Sequence, residues 1–289
     1  MNRAIPDLAS FLAADPAEVA AVAPATVCFA PGGTRRHAVL EGVPLDGEAY
    51  VRWSQARIFD CVGQLFALGA RHVIINVLRS SQLAEVGPYR EQLMARVEAG
   101  LAGEAALAAY AWRGWRARLI GGGELPELAA LDARMRAATA GHSAGTVWWY
   151  ACAGVEQYWA ALLAAAASSG ARSREALAEA LYGEAIPPAT MLISFGKPML
   201  VADIAPPLLC GDLQAYWYQR PGYSLAEADL RRIFYDHAFL RRTWQADKAT
   251  RYGEVMARRE LWERRAILGL GARLGPFWYS DPASELDPG

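Results

Sequence analysis

Short apolar, β-rich runs alternate with longer stretches of helical period along almost the whole chain, and this alternation limits the fold more than any other feature. Six runs read as strands: Ala25–Phe29, His72–Leu78, Arg116–Ile120, Thr146–Cys152, Thr190–Phe195 and Leu213–Tyr218. Helical period is expected over 5–22, over Asp46–Leu68 up to Gly69, and over Pro88–Tyr110 with Pro88 in the first turn. It is expected again over Leu125–Ala138, Val155–Ala167 and Ser173–Leu181, and in two charged helices at about Leu225–Arg242 and Lys248–Leu268. Strands joined through helices run parallel, so the fold class is α/β, a single domain with a mostly parallel six-stranded central sheet flanked by helices. The expected organisation is an N-terminal helix within 1–24, one domain over 25–280 and a tail over 281–289.

In such sheets ligands sit at the C-terminal ends of the strands. The segments there are Pro31-Gly32-Gly33-Thr34-Arg35-Arg36, Arg79-Ser80-Ser81 and the Gly196 region, all expected at one edge. Pro31, Gly32 and Gly33 end the first strand in a tight turn, and a glycine pair leaves backbone N–H groups uncovered and able to face an anion. Arg35 and Arg36 add two planar, permanently charged forks that match phosphate oxygens. The segment reads either as a diphosphate cradle or as an ordinary glycine turn with two solvated arginines.

Composition narrows the rest. The chain has 289 residues, 54% of them hydrophobic, with ten Trp and twelve Tyr, enough for a sizeable core. A formal net charge of -1 supplies no global basic field for nucleic acid or an anionic membrane. Cys28, Cys61, Cys152 and Cys210 are scattered without a CxxC spacing, which fits reduced cysteines and a cytoplasmic location. Asp7 and Asp15, with no basic-then-apolar segment, argue against a signal peptide, and the apolar run Tyr158–Ala167 is too short to span a bilayer. His37, His72, His142 and His237 show no zinc-ligand spacing, so no protein-held metal is expected from them. Gly269–Gly275 imitates a dinucleotide fingerprint with the wrong spacing and reads as a turn. The arginine pairs 231–232, 241–242, 258–259 and 264–265 lie on expected helices and read as solvated or facing a second copy.

Aromatic side chains on the strands either fill the core or line a cavity where a cation is stabilised over their faces. Trp53, Trp148 and Tyr150 are the residues assigned to such a pocket. Because side chains alternate along a strand, about half of the aromatics at Trp148-Trp149-Tyr150 and Tyr216-Trp217-Tyr218 can face any one pocket.

Several segments together resemble one family. Gly32-Gly33-Thr34-Arg35-Arg36 is similar to the Asp-Gly-Thr-Arg-Arg loop of the cis-prenyltransferase-like diterpene synthases, the group of tuberculosinol/isotuberculosinol and kolavelool synthases. Leu181-Tyr182-Gly183-Glu184, Met191-Leu-Ile-Ser-Phe-Gly196 and Leu230-Arg-Arg-Ile-Phe-Tyr-Asp-His237 with Leu240-Arg241 follow in the family's order with near-family spacing. The resemblance implies the fold of undecaprenyl diphosphate synthase, usually a homodimer. It implies that Gly32, Gly33, Thr34, Arg35, Arg36, Ser80 and Ser81 bind the diphosphate of an allylic prenyl substrate. Arg35, Arg36 and Tyr50 would be the catalytic residues.

The departures are specific. Gly32 replaces the family aspartate, and Ser80-Ser81 replaces an acidic pair, so the resemblance implies Mg2+ only weakly, with Glu41 and Glu156 the nearest remaining carboxylates. Ile193-Ser-Phe-Gly-Lys197 lacks the arginine-rich motif that holds a second diphosphate in chain-elongating relatives. The expected activity is therefore a terpene synthase that ionises an allylic prenyl diphosphate, C20 and linear or bicyclic, and releases pyrophosphate. Water, deprotonation or another nucleophile would quench the cation. A non-catalytic prenyltransferase-like subunit is the alternative, and a chain elongator the second alternative.

Overall fold

The computed structural model describes residues 5–45, 47–121, 126–241, 243, 248–264 and 267–280. The chain opens with α1 (Leu8–Leu12) and α2 (Pro16–Ala20), then β1 (Thr26–Ala30), α3 (Thr34–Leu40), α4 (Gly47–Ala67) and β2 (His72–Leu78). It continues through α5 (Ser80–Leu83), α6 (Pro88–Ala102), α7 (Glu104–Arg113), β3 (Trp115–Ile120), α8 (Pro126–Ala138) and β4 (Gly145–Ala151). Next come α9 (Val155–Ser169), α10 (Arg174–Tyr182), β5 (Ala189–Phe195) and β6 (Cys210–Tyr218). The described chain closes with α11 (Glu227–Tyr235), α12 (Arg251–Ala257), α13 (Arg259–Trp262), β7 (Gly271–Leu274) and β8 (Phe277–Ser280).

Six strands form one sheet in the order β3-β4-β2-β1-β5-β6, and every neighbouring pair is parallel. Alternation along the strands sends Phe29, Ile75, Trp149 and Ile193 into one core and Cys28, Ile74, Trp148 and Leu192 into the other. The first core takes in residues of α4, α6, α7, α8 and α11, the second residues of α10 and of the segment between β5 and β6. Both faces are covered, which is why these strands read as continuous apolar runs.

Where the structure departs from the expected elements, the cause is local. Asp15 caps a new helix and Pro16 occupies its first position, so 5–22 is two short helices, the first capped by Asp7, which accepts from the Ser10 N–H. Gly103 splits the helix expected over Pro88–Tyr110. The helix from Glu227 ends in a π-helical turn, Asp236–Leu240, and the segment after Lys248 holds two short helices in place of a long one. Gly271–Leu274 is a strand of the antiparallel β7–β8 hairpin, not merely a turn. Asp46, Arg242, Arg265, 122–125 and the tail 281–289 lie outside the described residues.

The family-like segments anchor the fold. On α11, Arg231 is buried, pairs with Glu227 and donates to the Ala14 carbonyl at 2.7 Å, so it is neither solvated nor free to face a second copy. Tyr235 donates to the Pro6 carbonyl and packs on Phe11, so α11 docks the N-terminal helices. Glu184, just after α10, pairs with Arg116 and Arg118 of β3, tying α10 to the sheet edge.

Candidate active site

The turn after β1 becomes the start of α3. Gly33 caps that helix at φ 72, a left-handed conformation that costs glycine nothing. The first N–H groups of a helix have no partner within it, so those of Gly33 and Thr34 are available to a ligand. Gly32 also has a steric reason: a Cβ there would stand 2.9 Å from the Phe195 carbonyl oxygen at the end of β5. An aspartate at this position needs the β5 end to move, so the absence of the family carboxylate is built into the backbone.

The two arginines diverge. The Arg36 guanidinium folds back over the turn, where a Cβ on Gly33 would meet its Nη2 at 2.5 Å and one on Gly196 would meet it at 3.5 Å. Phe277 of β8 covers it, with the guanidinium carbon 5.2 Å from the ring centroid. Arg35 is exposed and donates to the Tyr89 hydroxyl at the start of α6, at 3.0 Å. One fork thus lies over the bare glycine backbone and the other sits on the rim.

Tyr50 and Trp53 come from α4. The Tyr50 hydroxyl shares a 3.0 Å hydrogen bond with Thr34 Oγ1, and its ring stacks on Trp53 with centroids 6.0 Å apart. Trp53 contacts the Tyr223 ring at 5.8 Å and the His37 ring at 5.4 Å, and donates Nε1–H to Glu41 at 2.8 Å. Glu41 also accepts from Arg57 and faces His37 Nε2 at 3.1 Å. The Arg57 bond, then the Trp53 bond, pull the Glu41 carboxyl down to about 2.

The other sequence-assigned residues lie elsewhere. Trp148 and Tyr150 are buried in the opposite core and hydrogen-bonded, Trp148 Nε1 to His72 Nδ1 and the Tyr150 hydroxyl to the Ala202 carbonyl. They are not brought together with Trp53. Ser80 spends its hydroxyl on Asp203 Oδ2 at 2.7 Å, and Ser81 is exposed. Asp203, on the loop after β5, is therefore the carboxylate that meets the second strand's end, a residue sequence reading passed over because it is distant in the chain. A cavity of about 360 Å3 opens beyond β3 and β4, lined by Leu119, Leu128, Cys152, Tyr158, Leu162 and Tyr182. A second, of about 430 Å3, lies between α4 and Tyr223–Glu227.

The turn does not fit a protein-held magnesium ion, since it offers no carboxylate and Glu41 is already engaged. Glu156 is exposed on the first turn of α9. Among the described residues, no group of three or more His, Cys, Asp or Glu is placed to hold a metal. Among them also, no helix is long and apolar enough to cross a membrane, and the four cysteines are free.

No family model matches the chain. The (+)-kolavelool synthase of Herpetosiphon aurantiacus is 42% identical over 283 residues, which is 98% of this chain and 98% of that protein. The tuberculosinyl adenosine transferase of Mycobacterium tuberculosis is 39% identical over 69 residues, 24% of this chain and 23% of that protein. Lavandulyl diphosphate synthase from Lavandula x intermedia, solved with dimethylallyl diphosphate, superposes with a TM-score of 0.58 at 17% identity, covering 75% of this chain and 96% of that one. A probable undecaprenyl diphosphate synthase from Campylobacter jejuni gives 0.57 at 12% identity, over 76% and 98%. At such identities the two structures establish the shared fold alone.

Proposed function

This chain belongs to the cis-prenyltransferase-like diterpene synthase family of (+)-kolavelool synthase, and we propose that its β1–α3 turn is where an allylic prenyl diphosphate is ionised. The observation that carries the reading is the Arg36 guanidinium folded against Gly33 and beside Gly196, where neither glycine has a side chain to exclude it. The C–O bond breaks with both electrons going to the diphosphate oxygen. Arg36 and the N–H groups of Gly33 and Thr34 stabilise the charge that develops there, the most effective place for fixed donors. Arg35 binds from the rim beside Tyr89.

The allylic cation is left beside Tyr50 and Trp53, whose π faces are held in place by the Thr34 and Glu41 hydrogen bonds. Tyr50 is the hydroxyl that steers a water or receives a proton. The relative is named for an alcohol, which favours quenching by water. A C20 substrate, linear or bicyclic, is what the family resemblance implies. Incubation with geranylgeranyl diphosphate and its bicyclic isomers, with and without magnesium, tests this. Pyrophosphate release with a terpene product supports it. A longer prenyl diphosphate formed on adding isopentenyl diphosphate identifies an elongator instead.

A homodimer belongs to the same reading. The segment from α12 to β8 leaves Val255, Trp262, Leu274 and Tyr279 exposed, apolar surface that a second copy would cover. Sedimentation equilibrium at micromolar concentration should return twice the chain mass, and a monomer would overturn this part.

A further inference from the structure

We infer that His37 is a positioning residue, which clamps the Arg220–Tyr223 loop against the glycine turn and so aims the Gly33 N–H at the diphosphate. The inference rests on the turn being the diphosphate site.

Two hydrogen bonds make the clamp. The Gly222 N–H donates to the Gly32 carbonyl at 2.6 Å, and the Tyr223 N–H donates to His37 Nδ1 at 3.0 Å. The Gly32 carbonyl and the Gly33 N–H belong to one trans peptide plane and point in opposite directions. Holding that carbonyl toward Gly222 therefore turns the Gly33 N–H away from the loop. Without the clamp the plane between two glycines can rotate, since neither residue has a Cβ to restrict it.

The imidazole's state follows from its partners. Nδ1 accepts from a backbone N–H, so it carries no proton, and the ring proton sits on Nε2, facing Glu41 at 3.1 Å. Glu41, held by Arg57 and Trp53, thus fixes the tautomer that the loop requires. Gly222 is buried at φ 70, and a Cβ there would stand 2.9 Å from the His37 Cβ and 3.1 Å from the Thr34 Cα. Only glycine lets the loop approach this closely.

The test titrates inorganic pyrophosphate into the full chain. In His37→Asn the amide oxygen takes the place of Nδ1 and keeps the loop bond; in His37→Gln the amide reaches Glu41 but leaves the Tyr223 N–H unpaired. The expected result is affinity within about threefold of wild type for His37→Asn and a loss of about tenfold or more for His37→Gln, in line with a donor left without its partner. Equal affinities for the two variants would overturn the inference. Arg36→Ala separates this failure from that of the underlying reading: if it too binds pyrophosphate like wild type, the diphosphate site itself is wrong and the inference falls with it. Nitrogen-15 NMR of the unmodified protein checks the geometry without any variant. A proton on Nε2 and none on Nδ1 is expected, and the opposite tautomer would overturn the clamp.

Discussion

Arg36 occupies the space that a side chain on Gly33 would fill, its Nη2 only 2.5 Å from where that Cβ would be. Arginine and glycine are thus complementary: the missing side chain is what lets the guanidinium lie against the turn at Gly33. Arg35, one residue earlier, leaves in another direction, to Tyr89.

The two arginines should therefore differ in their effects. Arg36→Ala should lower turnover by about 10²-fold or more, as loss of an oxyanion donor does, and Arg35→Ala by about tenfold or less. Pyrophosphate release under saturating substrate measures both. Equal losses would mean that the rim arginine swings in when substrate binds.

Restoring the family aspartate should not improve the enzyme. Gly32→Asp drives a Cβ against the Phe195 carbonyl, a backbone atom that cannot rotate away. A destabilisation of about 1–3 kcal/mol is expected from such overpacking, with no gain in turnover. Urea unfolding alongside the activity assay gives both values.

Tyr50→Phe keeps the ring stacked on Trp53 and removes only the hydroxyl that meets Thr34 Oγ1. Turnover should fall by about tenfold, within the contribution of a single positioned proton-transfer group or less. The proportions of deprotonated and hydrated products, read by gas chromatography, should shift while the melting temperature stays nearly constant.

Acid should loosen the support behind the cradle. Glu41 titrates at about 2 in the fold against an ordinary 4.5, so its stabilising effect is full above about 4.5 and is lost as pH falls toward about 2. Between those values the unfolded chain binds the extra proton. Urea midpoints at pH 5, 4 and 3 should fall more steeply for wild type than for Glu41→Gln, which has no carboxyl to protonate. Parallel curves would show that the Arg57 and Trp53 bonds add nothing to stability.

Much of the fold is legible in the sequence. Strand runs at Thr26–Ala30 and His72–Leu78 are apolar on both faces because both faces are covered, and Pro88 marks a helix start wherever it stands. Errors arose where one residue outvotes a periodic pattern, as Pro16 and Gly103 do in splitting helices. The candidate site was half legible. The glycine turn and its two arginines are readable from residue type and spacing, and Tyr50 only through the family resemblance. His37 read as an unremarkable histidine, and Asp203 and Gly222 drew no notice, because each acts on a partner far along the chain.

The sequence by itself determined the order of strands and helices, the glycine turn and the family, because these depend on local propensity and on motifs that stay contiguous. Only the tertiary structure decided that Arg36 and Arg35 part company, that Trp148 and Tyr150 belong to the other core, and that residues 222 and 223 hold the turn. A side chain's direction is set by which strand face and which distant loop it meets, and hydrogen bonds spanning almost two hundred residues leave no periodic trace in the chain that makes them.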